Sequence, residues 1–160
     1  MQPELIRLDI PDGCNVILGQ AHFIKTVDDI FEAVAGSAPG IRFGIAFNEA
    51  SQDRLVRHDG NEPSLEEVAV RNAMAVAAGH AFVVILKGAY PINVMSALKA
   101  VPEVCAIYCA TANPVQVITL PAGKGRAILG VVDGESPVGV EGPHDREARH
   151  RFLRDIGYRS

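Results

Sequence analysis

Apolar positions along the chain follow two rhythms, and the clearest example is the stretch from Ala81 to Thr119. Residues 81–86 and 104–110 are nearly continuous apolar runs, the pattern of strands buried on both faces. Between them, Tyr90-Pro-Ile-Asn93 opens a helical run that ends near Ala100. A strand–helix–strand unit sets its strands parallel through a right-handed crossover. The loops 87–92 and 111–114 then leave the same end of the sheet. They carry Lys87, Tyr90, Thr111 and Asn113, with Asn93 just inside the helix. Crevices beyond the carboxyl ends of parallel strands are common ligand sites, so a small-molecule site is expected there.

The remaining pattern is read in chain order. Residues 5–10 alternate apolar and polar, as in a half-buried strand, and Pro11-Asp12-Gly13 is a turn. Residues 15–18 form a second short strand that can pair with the first as a hairpin. Thr26 is the expected cap of a helix with Asp29 in the capping-box position, and Gly36 ends it. Residues 41–48 and 55–58 are strands. Ser64 is the expected cap of a second helix, with Glu67 three residues on and Gly79 as its stop. Its stripe of Leu65, Val68, Ala69, Asn72 and Val76 is mostly small, so close packing is expected. Residues 115–120 and 126–132 form a hairpin around Ala122-Gly-Lys-Gly125. Pro143 opens a last helix running to Ile156. Without repeats or linkers, the pattern predicts one α/β domain over residues 1–160, a mixed sheet flanked by helices.

Composition narrows the function. The chain has 160 residues, 48% of them apolar, and a formal charge of −4. That is enough to bury a core, and there is no overall basic field for nucleic acid. No apolar run reaches membrane-spanning length, and the first residues lack a signal peptide's pattern, so a cytoplasmic protein with no membrane partner is expected. Cys105 and Cys109 lie four residues apart in one strand, about 13 Å when extended. That is too far for a disulfide, so both are expected as small buried apolar residues.

Candidate chemistry is sparse. There is no P-loop, Rossmann glycine motif, zinc spacing or nucleophile elbow. Gly123-Lys-Gly-Arg126 reads as a hairpin turn before it reads as a phosphate contact. His22, in Gly19-Gln-Ala-His-Phe-Ile-Lys25, precedes a helix N-terminus, where amides favour anions, and Lys25 adds charge. It is either a nucleophile or base toward phosphate, or an imidazole hydrogen-bonded near a cap. His80 follows a helix C-terminus, a poor place for phosphate. Asn48 and Glu49 end an apolar strand and suit either a site or a turn. Asn93, Asn113 and Gln116 offer paired donors and acceptors that match a nucleobase edge, and Lys87 offers a cation to an anion. His144, His150 and four arginines share a polar helix face. That face is either solvated or closes over a phosphate of a neighbouring subunit. If residues 42–48 and 55–58 form a simple hairpin, His22 and Lys87 fall at opposite poles of one chain.

The phrases LGQAHFIKTVDDIFEAV, FGIAFNEAS, LVRHDGN, AYPINVMSALKAVPEV, CATANPVQVI, ILGVVDGESPVGVE and FLRDIGY resemble the adenosine-specific kinase family over almost the whole chain. The resemblance implies binding of adenosine or AMP, phosphoryl chemistry at a histidine, and a homo-oligomer built from trimers. His22 and Lys25 are then the expected catalytic pair. Asn48, Glu49, Lys87, Asn93, Thr111, Asn113 and Gln116 are the expected ligand contacts. A kinase also implies a phosphoryl donor, usually with magnesium, for which Asp133 and Glu135 are the acids to consider. A non-catalytic adenosine or AMP regulator is the alternative.

Overall fold

The computed structural model describes residues 2–158. Its elements are β1 (Glu4–Arg7), β2 (Cys14–Ala21), α1 (Thr26–Ala35), β3 (Arg42–Asn48), β4 (Val56–Gly60), α2 (Pro63–Val76), β5 (Ala81–Lys87), α3 (Pro91–Lys99), β6 (Val104–Thr111), β7 (Val115–Ala122), β8 (Gly125–Asp133) and α4 (Pro143–Asp155). Helices and sheets alternate as the sequence pattern requires.

Five strands form one sheet in the order β4-β3-β5-β2-β6, and β1-β7-β8 form a second. Strand β2 lies between β5 and β6 and is antiparallel to both. The crossover strands therefore run in the same direction, as expected, but they do not touch. Every residue of β2 except Gln20 is buried, which suits a strand with a neighbour on each side. The expected pairing of the first two strands does not occur. Instead β1 bonds β7, in the second sheet, and the turn at 11–13 carries the chain from one sheet to the other.

The core lies on both faces of the larger sheet. One face buries Ile17, Phe43, Ile45, Phe82 and Val84 against α1 and α3. The other buries Val16, Leu18, Val83 and Ile85 against α2 and the smaller sheet. The small stripe of α2 does pack closely: a Cβ on Gly44 of β3 would lie 2.3 Å from the backbone at Leu65 and Glu66. Two helix starts differ from expectation. Helix α1 is capped at Lys25, with Thr26 already inside and its hydroxyl donating to the Phe23 carbonyl. Helix α2 is capped at Glu62, because Pro63 suits the first turn and leaves Ser64 within the helix. Its C-cap is Ala77, in the left-handed region, two residues before Gly79.

Helix α4 buries none of its residues. In the segment before it, Val138 and Val140 are fully exposed. Cys105, expected in the interior, is exposed, whereas Cys14 and Cys109 are buried. Burial pushes the Cys109 thiol up to about 11, so it stays neutral. Among the described residues, no helix is long and apolar enough to cross a membrane.

Candidate functional site at two poles of one sheet

Strand directions sort the candidate residues into two groups. Strands β2 and β3 end where β5 begins, so His22, Asn48 and Glu49 share one pole with His80. Strands β5 and β6 end where β2 begins, so Lys87, Thr111 and Asn113 share the other. Eight residues of β2 separate the poles, about 23 Å at strand rise. One small ligand cannot touch both in a single chain.

At the first pole, the His22 side chain is exposed and its backbone N–H donates to the Glu103 carbonyl at 3.1 Å. The preceding residue, Ala21, donates its N–H to the His80 carbonyl at 2.9 Å, so both histidines sit on one rim. His80 has φ +65°, in the left-handed region, and its ring stacks on Phe47 at 5.6 Å. Its N–H donates to the Asn48 carbonyl at 2.7 Å. Lys25 is held by Asp29 at 2.7 and 2.8 Å. Behind this pair, Glu103 is 6% exposed. Burial first, and the adjacent Asp29 second, raise its pKa above the ordinary carboxylate range. The Lys25 bond lowers that of Asp29. The opening amides of α1 are less available than a bare helix end: those of Thr26, Val27 and Asp29 donate to the carbonyls of Phe23, Ile24 and Lys25.

Asn48 and Glu49 have structural bonds of their own. The Asn48 amide donates to the carbonyls of Ala73 and Ala78, both at 3.0 Å, and so closes the C-terminus of α2. Its Oδ1 is buried without a partner among the described residues. Glu49 accepts from the Leu55 N–H at 2.9 Å and from Arg57 at 2.7 Å, and these bonds lower its pKa. Both line a cleft of about 480 Å³ with Arg54, Leu55, Met74 and Lys124. Lys124 arrives from the β7–β8 turn, so that turn does reach a cleft.

At the second pole, Lys87 is exposed at the end of β5. Thr111 is buried, and its hydroxyl accepts from the Asn113 N–H at 3.0 Å. The Asn113 amide donates to Asp133 at 3.1 Å. Asn93 works as a helix cap, its Oδ1 accepting from the Tyr90 N–H at 2.9 Å, and its amide reaches the Tyr158 hydroxyl at 3.4 Å. Gln116 lies exposed on β7, paired with Arg7 and Val132. The loops after β5 and β6 flank a cleft, as the crossover predicts; Tyr90, Ala112 and Pro114 line it with residues 7–15. Among the described residues, no three His, Cys, Asp or Glu side chains gather to hold a metal.

Sequence reasoning passed over Glu103, Asn15 and the backbone of His80. Glu103 was hidden in Val-Pro-Glu-Val, which reads as an ordinary turn. Asn15 read only as the start of a short strand.

Among curated proteins, none matches the chain. A solved structure does: the crystal structure of PH1918 protein from Pyrococcus horikoshii OT3 is 44% identical. The match covers 99% of this chain and 98% of that one, with a TM-score of 0.95. The adenosine specific kinase family matches over residues 6–159. A match spanning both sheets, all four helices and both poles leaves one reading of kinship: the chain belongs to the adenosine specific kinase family.

Proposed function

We propose that this protein binds adenosine or AMP and carries phosphoryl groups on His22, as a cytoplasmic homo-oligomer assembled from trimers. The observation that carries the nucleoside reading is the family match over residues 6–159. Lys87 and the loops after β5 and β6 are the proposed nucleoside pole. His22 is the proposed acceptor because its ring is exposed while its backbone is fixed by Glu103. In the transfer, a ring nitrogen attacks phosphorus and the bond to the donor's leaving oxygen breaks. Lys25 and Lys87 offset phosphate charge. With the poles about 23 Å apart, His22 of one copy serves the nucleoside pole of another.

One observation favours the second reading, a regulator that binds and does not transfer. Lys25 is already paired with Asp29, and Asp28 and Asp29 occupy the first turn of α1, where a phosphate would otherwise sit. Fewer free donors face His22 than its position before a helix implies.

Calorimetry with adenosine, AMP and guanosine tests the nucleoside reading. An amide oxygen placed to accept from the adenine amino group would meet the guanine oxo group instead, at a cost of roughly 1–3 kcal/mol. We expect adenosine and AMP to bind at least tenfold more tightly than guanosine. Equal affinities for all three would remove the adenine-reading role.

A further inference from the structure

None of the thirteen residues of α4 is buried, yet the chain just beyond it is tied down. The Tyr158 hydroxyl accepts from the Asn93 amide at 3.4 Å, at the pole that carries Lys87 and Tyr90. The helix carries four arginines. Arg149 is held by Glu141 at 3.0 Å and Arg151 by Glu147 at 3.5 Å. Arg146 and Arg154 are exposed and have no ion pair among the described residues. Their spacing along the helix is about 12 Å, and they lie within roughly 80° of one face.

Helix α1 has the opposite charge. It contains Asp28, Asp29 and Glu32 and no basic residue. Lys25 satisfies Asp29. Asp28 and Glu32, one turn apart and exposed, have no ion pair among the described residues. Like charges at that spacing repel, so a cation from outside the helix stabilises them. Apolar surface matches as well. Phe23 and Ile24, just before α1, are 53% and 43% exposed, and Phe152 and Ile156, at the end of α4, are 59% and 48% exposed. An antiparallel arrangement sets the negative end of the α4 dipole at the positive start of α1. With Arg146 opposite Glu32, Arg154 then falls about 12 Å further along, level with Ile24 and beside His22. Phe152 and Ile156 come level with Thr26 and His22, on either side of Phe23 and Ile24.

We propose that α4 of one copy docks antiparallel on α1 of a neighbouring copy, where Arg146 pairs with Glu32 and Arg154 donates to a phosphate carried on His22. The phosphate half rests on the phosphohistidine reading above; the docking half stands on the two surfaces alone. Arg154 makes and breaks no covalent bond. Its planar guanidinium binds phosphate oxygens through paired N–H donors, the donors that Lys25 withholds by its bonds to Asp29. Because Tyr158 ties the end of α4 to Asn93, the same contact carries the Lys87 pole of one copy to the His22 of the next. The contact joins two different surfaces, so it repeats head to tail and closes as a ring.

The test is a charge swap read by light scattering and a mixing experiment read by intact mass. Glu32, Arg146 and Arg154 are exposed, so their variants keep the fold, and melting curves check this. We expect Glu32→Arg and Arg146→Glu each to weaken assembly about tenfold or more, and the double variant to restore it. Unchanged assembly in the single variants, or no recovery in the double, would overturn the docking. Arg154→Ala should lose most of its acid-labile phosphate. Co-expressed with His22→Ala, which still supplies Arg154, the Arg154→Ala chain should regain it in mixed oligomers. Phosphate retained by Arg154→Ala alone, or not regained in mixed oligomers, would overturn the role of Arg154 in a neighbouring copy. A wild type without phosphate whose assembly follows the charge swap would overturn the phosphohistidine reading together with that role, and leave the docking standing.

Discussion

Glu103 is the residue whose environment is most at odds with its chemistry. Its carboxyl is buried beside Asp29, one of its oxygens has no partner among the described residues, and its pKa is raised. Above the ordinary value of 4.5 the unfolded chain has released this proton while the folded chain still holds it. Stability therefore falls as pH rises through the folded pKa. Asp29, lowered by Lys25, acts oppositely: its contribution is present above 3.8 and is lost as pH falls through its depressed folded pKa. Glu103→Gln removes the first effect. Thermal melts should show this variant more stable than wild type at pH 7, by about 2–4 °C for each kcal/mol recovered, with the advantage gone at pH 4. An equal advantage at both pH values would mean that ionisation of Glu103 is not the cause. None of this could be read from the sequence, because Glu103 meets Asp29 only after β6 and α1 are brought together.

Among the elements, α2 and α4 stand at opposite extremes. Helix α2 lies on β3 so closely that its own backbone occupies the place of a Gly44 side chain. Backbone cannot rotate aside, so Gly44→Ala should cost roughly 1–3 kcal/mol or more, measured as a lower urea midpoint. An unchanged midpoint would show that the helix can shift. The sequence carried half of this contact: the small stripe of α2 was legible, but its partner glycine read only as one member of an apolar strand. Helix α4 was legible from end to end, yet none of its residues is fully buried. A lone helix of thirteen residues is marginal in water, so contacts with another copy are expected to support it. Removing the chain after Gly134 should leave the melting of the remaining body nearly unchanged and reduce the oligomer to monomers by light scattering. A full-length protein that is monomeric at about 17 kDa would sink the oligomer.

Across the whole molecule, the order and nature of the elements follow from local patterns that hold after folding. Apolar runs and turn residues sufficed to place the boundaries of strands such as β3, β5 and β6 close to those observed. Strand partners did not follow, because pairing is a long-range choice. Nothing near residues 14–21 states that β2 will slot between β5 and β6, or that β1 will join β7. That insertion sets His22 and Lys87 at opposite ends of β2 and opens the notch beside Asn15. The hairpin of β3 and β4 already implied the two poles, whereas the cleft residues could be named only once the sheets were in place.

Phosphoryl transfer through His22 is the central claim, and intact mass tests it most directly. Wild type, His22→Ala and His80→Ala are purified in parallel and weighed before and after mild acid. We expect wild type and His80→Ala to carry an acid-labile phosphate, the latter with reduced stability because its ring no longer stacks on Phe47. We expect His22→Ala to carry none. An acid-labile phosphate on His22→Ala, or its absence from wild type, would contradict the assignment.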